Sequence, residues 1–148
     1  MMRYLLLGVL LIGIAGLASC AGSAKAGDPS VSPAILAQRI ESLPPADPQK
    51  LPDGREMKDW KNPYLIVRVD GVALLDIANS EQKLLAPDKL VDALAALPSS
   101  SWAYGRAVAV AETAANSEDD KARLRKNRAL VAGTLENLQV LIQWVPST

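Results

Sequence analysis

Two groups of side chains in this 148-residue chain carry recognisable chemistry. Lys121, Arg123, Arg125, Lys126 and Arg128 place five cations in eight residues, and Glu112 precedes them at the end of an apolar run. Guanidinium groups grip carboxylates and phosphates through paired N–H donors, so the basic run is a candidate contact for anionic lipid, cell wall or an acidic partner. It equally fits a solvated helix face that balances Glu118, Asp119 and Asp120. The second group is Cys20, the only thiol in the chain, which sits where an unbroken apolar stretch ends. Catalytic chemistry is poorly supplied. There is no histidine, the side chain best poised for proton transfer near neutral pH and the commonest metal ligand. Ser99 to Ser101 adjoin no nucleophile-elbow pattern, and the sixteen carboxylates are scattered. A non-enzyme without metal or cofactor is the expectation. Sixteen basic residues offset sixteen acidic ones, so no global field draws the chain to nucleic acid.

The elements that must position these groups follow from hydropathy and punctuation. Arg3 is the only charge before an apolar run from Tyr4 to Ala18. As a helix that run spans about 22 Å, short of the roughly 30 Å hydrocarbon core, and a charged start with a small-residue exit describes a secretory signal peptide over 1–19. An uncleaved anchor is the competing reading. Residues 20–62 read as a tether: Ala21 to Ser32 is rich in Ala, Gly and Ser, Pro33 opens a short helix bearing Ile35, Leu36, Ile40 and Leu43, and Pro44-Pro45 stops it. The following proline-rich stretch should hug the domain through Met57 and Trp60, with Trp60 covering a core edge.

A small α/β domain is expected over 63–148. Tyr64 to Val69 is β-rich, Asp70-Gly71 signals a type I′ hairpin turn, and Val72 to Leu75 resumes the apolar run. Pro87 opens a helix whose Leu90, Val91, Leu94 and Leu97 face inward. Ala107 to Ala111 lacks polar alternation and reads as a buried strand, its alanines leaving room for a close helix. Ser117 caps a long helix carrying Leu124, Val131, Leu135 and Leu138, in which Gly133 predicts close packing. Val140 to Val145 is the last strand. The order ββαβαβ predicts a four-stranded mixed sheet with two helices on one face.

Three resemblances add expectations. Leu17-Ala18-Ser19-Cys20 resembles the lipobox of bacterial lipoproteins, which implies a diacylglyceryl thioether on Cys20 and a protein held in membrane lipid by its acyl chains. Removal of residues 1–19 then leaves 129 residues. Ala21 in place of Asp after the cysteine implies the periplasmic face of the outer membrane in a Gram-negative envelope. The strand near Asn62-Pro63, the Val69-Asp70-Gly71-Val72 hairpin and the helix opened by Pro87-Asp88 resemble the periplasmic domain of the ExbD/TolR family. That likeness implies a protein-interaction module that engages an envelope partner or a second copy of itself. The family's intramembrane acid is missing from Met1 to Ala18, so motor function is not implied. Leu124-Arg125-Lys126-Asn127-Arg128-Ala129 is similar to the peptidoglycan-binding segment of the OmpA/Pal family. That similarity implies Arg128 on a stem-peptide carboxylate and Glu112 on its ammonium, although Glu112-Thr113 stands where the family has threonine-aspartate and Arg125 where it has serine.

Overall fold

The computed structural model describes residues 31–52 and 57–146. Apolar, β-branched Tyr64–Arg68 (β1) pairs antiparallel with Gly71–Asp76 (β2), and β2 pairs antiparallel with Glu81–Leu85 (β3). On its other side β1 runs parallel to Ala107–Glu112 (β4), which runs parallel to Leu141–Trp144 (β5). The mixed α/β class is as expected, but the sheet has five strands in the order β3-β2-β1-β4-β5 and not four. The added strand, β3, lies at an edge where only Leu85 is buried, so its residues carry no alternation to read.

The first hairpin also differs. Arg68 pairs with Gly71, so the loop centre is Val69-Asp70 and not Asp70-Gly71. Neither loop residue has positive φ; Gly71 takes it, at +147°, one position later. A type I′ turn would force β-branched Val69 into the left-handed region, and the glycine relieves it of that strain.

Three helices cover one face. Pro33–Glu41 (α1), Leu90–Ala95 (α2) and Glu118–Asn137 (α3) send Ile40, Leu90, Leu94, Leu124, Val131 and Leu135 into a core shared with Leu65, Val67, Val72, Val108 and Val110 of the sheet. Ser117 caps α3 as its sequence predicts, accepting a hydrogen bond at Oγ from the Asp120 backbone N–H at 3.1 Å. Ile40 is only 1% exposed in that core, so the packed unit begins at α1 and not at residue 63. A boundary drawn at residue 63 misses this, because the short helix assigned to the tether is docked on α2.

The opposite face is covered in part by the irregular segment between α1 and β1. Trp60 lies on Ala107 and Ala109, with Ala46, Leu51 and Met57 alongside. The alanines of β4 therefore admit the Trp60 indole, and no α-helix of the described residues lies on them. Trp60 Nε1 donates to the Pro63 carbonyl at 3.1 Å. Asn62, 2% exposed, locks the segment down: Nδ2 donates to the Gly105 and Ala107 carbonyls at 2.7 and 2.8 Å, and Oδ1 accepts from the Tyr104 N–H at 2.9 Å. Gly105, with φ +75°, lies against the backbone of Pro44 and Pro45, where a Cβ would collide with both carbonyl oxygens. Its role is to let two segments of the backbone approach closely. Gly133 is the reverse case: a Cβ there would meet nothing within 4 Å among the described residues, so the close packing predicted for it is not found there.

Candidate functional site

Glu112 is the last residue of β4 and stands opposite Val67 of β1, which places its side chain on the helix-covered face. Arg128 reaches the same place from α3. Its Nη1 stands 2.9 Å from Glu112 Oε1, a charge pair in which the arginine is 50% and the glutamate 25% exposed. The contact lacks the alignment of a hydrogen bond, and Glu112 Oε1 has no hydrogen-bond partner among the described residues. Trp144 of β5, in register with Val110, completes the cluster, with the Arg128 Cζ 4.2 Å from its ring centroid. A half-exposed charge pair contributes on the order of 0.5 kcal/mol, and a cation over tryptophan about 0.5–1 kcal/mol.

Next to this cluster α3 is fixed to the first hairpin, since Asn127 Nδ2 donates to the Arg68 carbonyl at 2.8 Å. Thr113 continues β4 by donating its backbone N–H to the Val67 carbonyl at 2.9 Å. The carboxylate thus comes from a strand end, the guanidinium from a pinned helix, and the aromatic plate from a neighbouring strand.

The remaining cations do not form one patch with Arg128. At 100° per residue Lys121, Arg125 and Arg128 share one flank of the buried stripe, while Arg123 and Lys126 project toward the opposite side. Lys121 Nζ pairs with Glu118 at 2.6 Å, and Arg125 Nε donates to the Lys121 carbonyl at 3.2 Å. Arg123 and Lys126 are exposed and make no ion pair among the described residues. Arg128 and Glu112 are therefore the two predicted contact residues that the fold brings together. Leu17, Ala18, Ser19 and Cys20 lie outside the described residues. Trp144 escaped the sequence reading, and only its register opposite Val110, two residues before Glu112, places it beside the pair.

Two other features are polar but less convergent. Arg68 grips Asp70 through two hydrogen bonds of 2.8 and 3.2 Å and donates to Gln82 at 2.9 Å. The hydrogen bond from Arg68 holds the Asp70 carboxyl below the usual carboxylate range. At the other end of the sheet from Glu112, a cleft of about 690 Å³ separates α2 from the β2–β3 hairpin. Leu74, Ala93 and Leu97 supply apolar lining, and Lys61, Asp76 and Glu81 supply charges of both signs.

Among the described residues no helix is long and apolar enough to cross a membrane, and no cluster of three or more His, Cys, Asp or Glu could hold a metal. Compared with protein-family models, curated proteins and solved structures, the chain matches none.

An arginine fork and a glutamate at one point can take a ligand bearing both a carboxylate and an ammonium. Such a ligand exchanges the internal pair for two external ones, which the geometry permits because Arg128 is half exposed and poorly aligned on Glu112.

Proposed function

We propose that the chain is a lipid-anchored protein of the bacterial envelope, held through Cys20, whose α/β domain is a non-catalytic binding module. Its ligand is the zwitterionic stem peptide of the cell wall, bound at Glu112 and Arg128 beside Trp144. The convergence of Glu112 and Arg128 from separate elements to 2.9 Å carries this reading. It supports the peptidoglycan-binding likeness at the point where the sequence departs from it, because a glutamate ending the strand reaches the arginine as an acid at that place must. Retention of the full chain on purified sacculi tests it, with Arg128→Ala as the comparison. Sacculi that fail to retain the native chain remove the wall ligand.

The second reading is a protein-interaction module of ExbD/TolR-like fold without proton-motor function. The antiparallel hairpin leading into a helix and two parallel strands favours it. Co-purification with an envelope partner distinguishes the two readings, and Cys20→Ala tests the anchor, since it should abolish lipid labelling.

A further inference from the structure

Backbone hydrogen bonds decide which groups of the outer strand are free. Thr113 N–H donates to the Val67 carbonyl and Ala109 N–H to the Pro63 carbonyl, so the odd-numbered residues of β1 bond β4 and the even-numbered ones bond β2. Alternation carried across β2 turns the backbone groups of Glu81, Lys83 and Leu85 of β3 inward and leaves the N–H and C=O of Gln82 and Leu84 without a strand partner among the described residues. Edges of this kind are ordinarily blunted by proline, a bulge or charges that oppose pairing. Here the register from Val72↔Leu85 to Asp76↔Glu81 is unbroken, and no proline lies within the strand. Leu84 is 51% exposed, and Ile77 in the adjoining turn is also exposed.

We propose that β3 is a homodimer interface, in which two copies pair β3 with β3 antiparallel about Gln82 and join their five-stranded sheets into one. The charges select this register. Glu81 and Lys83 point to the same face, two residues apart, with opposite signs. A two-fold axis at Lys83 sets two lysines against each other, and one at Leu84 sets Lys83 against the second copy's Leu85. An axis at Gln82 sets Glu81 against the second copy's Lys83, twice, where directly opposed unlike charges favour pairing and like charges oppose it. The charges on this edge therefore specify a partner, and the partner they match is the strand itself. The surface lies at the edge remote from β5, so it stands or falls independently of the Glu112–Arg128 contact.

Cysteine crosslinking reads the register directly. In the full chain with Cys20→Ser, each introduced thiol is the only one. Directly opposed, hydrogen-bonded residues of antiparallel strands have Cα atoms about 5.5 Å apart, inside the disulfide range. Under mild oxidation Gln82→Cys should yield roughly tenfold more disulfide dimer than Leu84→Cys, whose Cα atoms lie well beyond that range in this register. Adding Lys83→Glu to Gln82→Cys should abolish the dimer, and adding Glu81→Lys as well should restore it. Absence of the Gln82→Cys dimer, equal yields at 82, 83 and 84, dominance of Leu84→Cys, or indifference to charge reversal would each overturn the proposal.

Discussion

Asn62→Ala should weaken the fold more than any surface change, because three backbone groups depend on one side chain. The Tyr104 N–H and the Ala107 carbonyl have Asn62 as their hydrogen-bond partner, while the Gly105 carbonyl keeps a second bond from the Ala107 N–H at 2.8 Å. Truncation strands two buried backbone groups, at about 1–3 kcal/mol each, so a loss of roughly 2–6 kcal/mol is expected. Against a total of about 5–15 kcal/mol for a domain, that shifts a urea midpoint plainly. Trp60, two residues away with its ring centroid 5.3 Å from that of Tyr104 and the planes tilted at 48°, supplies the fluorescence signal. Asn62→Asp adds a pH test. One carboxylate oxygen would face two carbonyl oxygens in a buried site, which raises the folded-state pKa above the unfolded value near 4. Between those values the folded state holds a proton that the unfolded state has lost, so this variant should lose stability as pH rises from 4 to 7. A loss below about 1 kcal/mol for Asn62→Ala, or stability of Asn62→Asp that rises over that pH range, would refute the role given to this residue.

Gly133→Ala should stabilise the protein by about 0.5–1 kcal/mol, since the added methyl meets nothing and helix propensity improves; thermal denaturation measures it. The Arg68–Asp70 pair contributes with the opposite pH sign to a raised acid. Its depressed Asp70 carboxyl adds stability that is present above the unfolded pKa and is lost as pH falls through the folded one. The stability difference between the native chain and Asp70→Asn should therefore shrink on acidification, as denaturation at stepped pH will record.

Much of the fold can be read from residues whose local and tertiary demands agree. The β-branched run of β1, the Ser117 cap and the inward leucines of α3 each point one way in sequence and in space. Other parts depended on partners that no local pattern names. Glu81-Gln82-Lys83 forms a strand because β2 offers an edge, and Ala107 and Ala109 are small because Trp60 arrives from far along the chain. Val69-Asp70 turns where Asp70-Gly71 was expected because the glycine serves better one step beyond the loop. In the candidate site, Glu112 and Arg128 are paired in sequence only through the likeness of Leu124 to Ala129 to a peptidoglycan-binding segment, and no local pattern of the chain joins them. Their contact with each other and the plate beneath Arg128 are set by the register of β4 and β5, which short-range periodicity does not contain.

The most direct test of the binding account is retention of the full chain on purified sacculi, measured for the native protein, Arg128→Ala and Glu112→Gln under matched conditions. Loss of one charge-assisted contact of about 1.5–3 kcal/mol predicts at least tenfold weaker retention for Arg128→Ala. The fold should persist, since the intramolecular contacts of Arg128 are worth only about 1–1.5 kcal/mol. Native chain that is not retained, or an Arg128→Ala chain retained as well as the native one, would contradict the account.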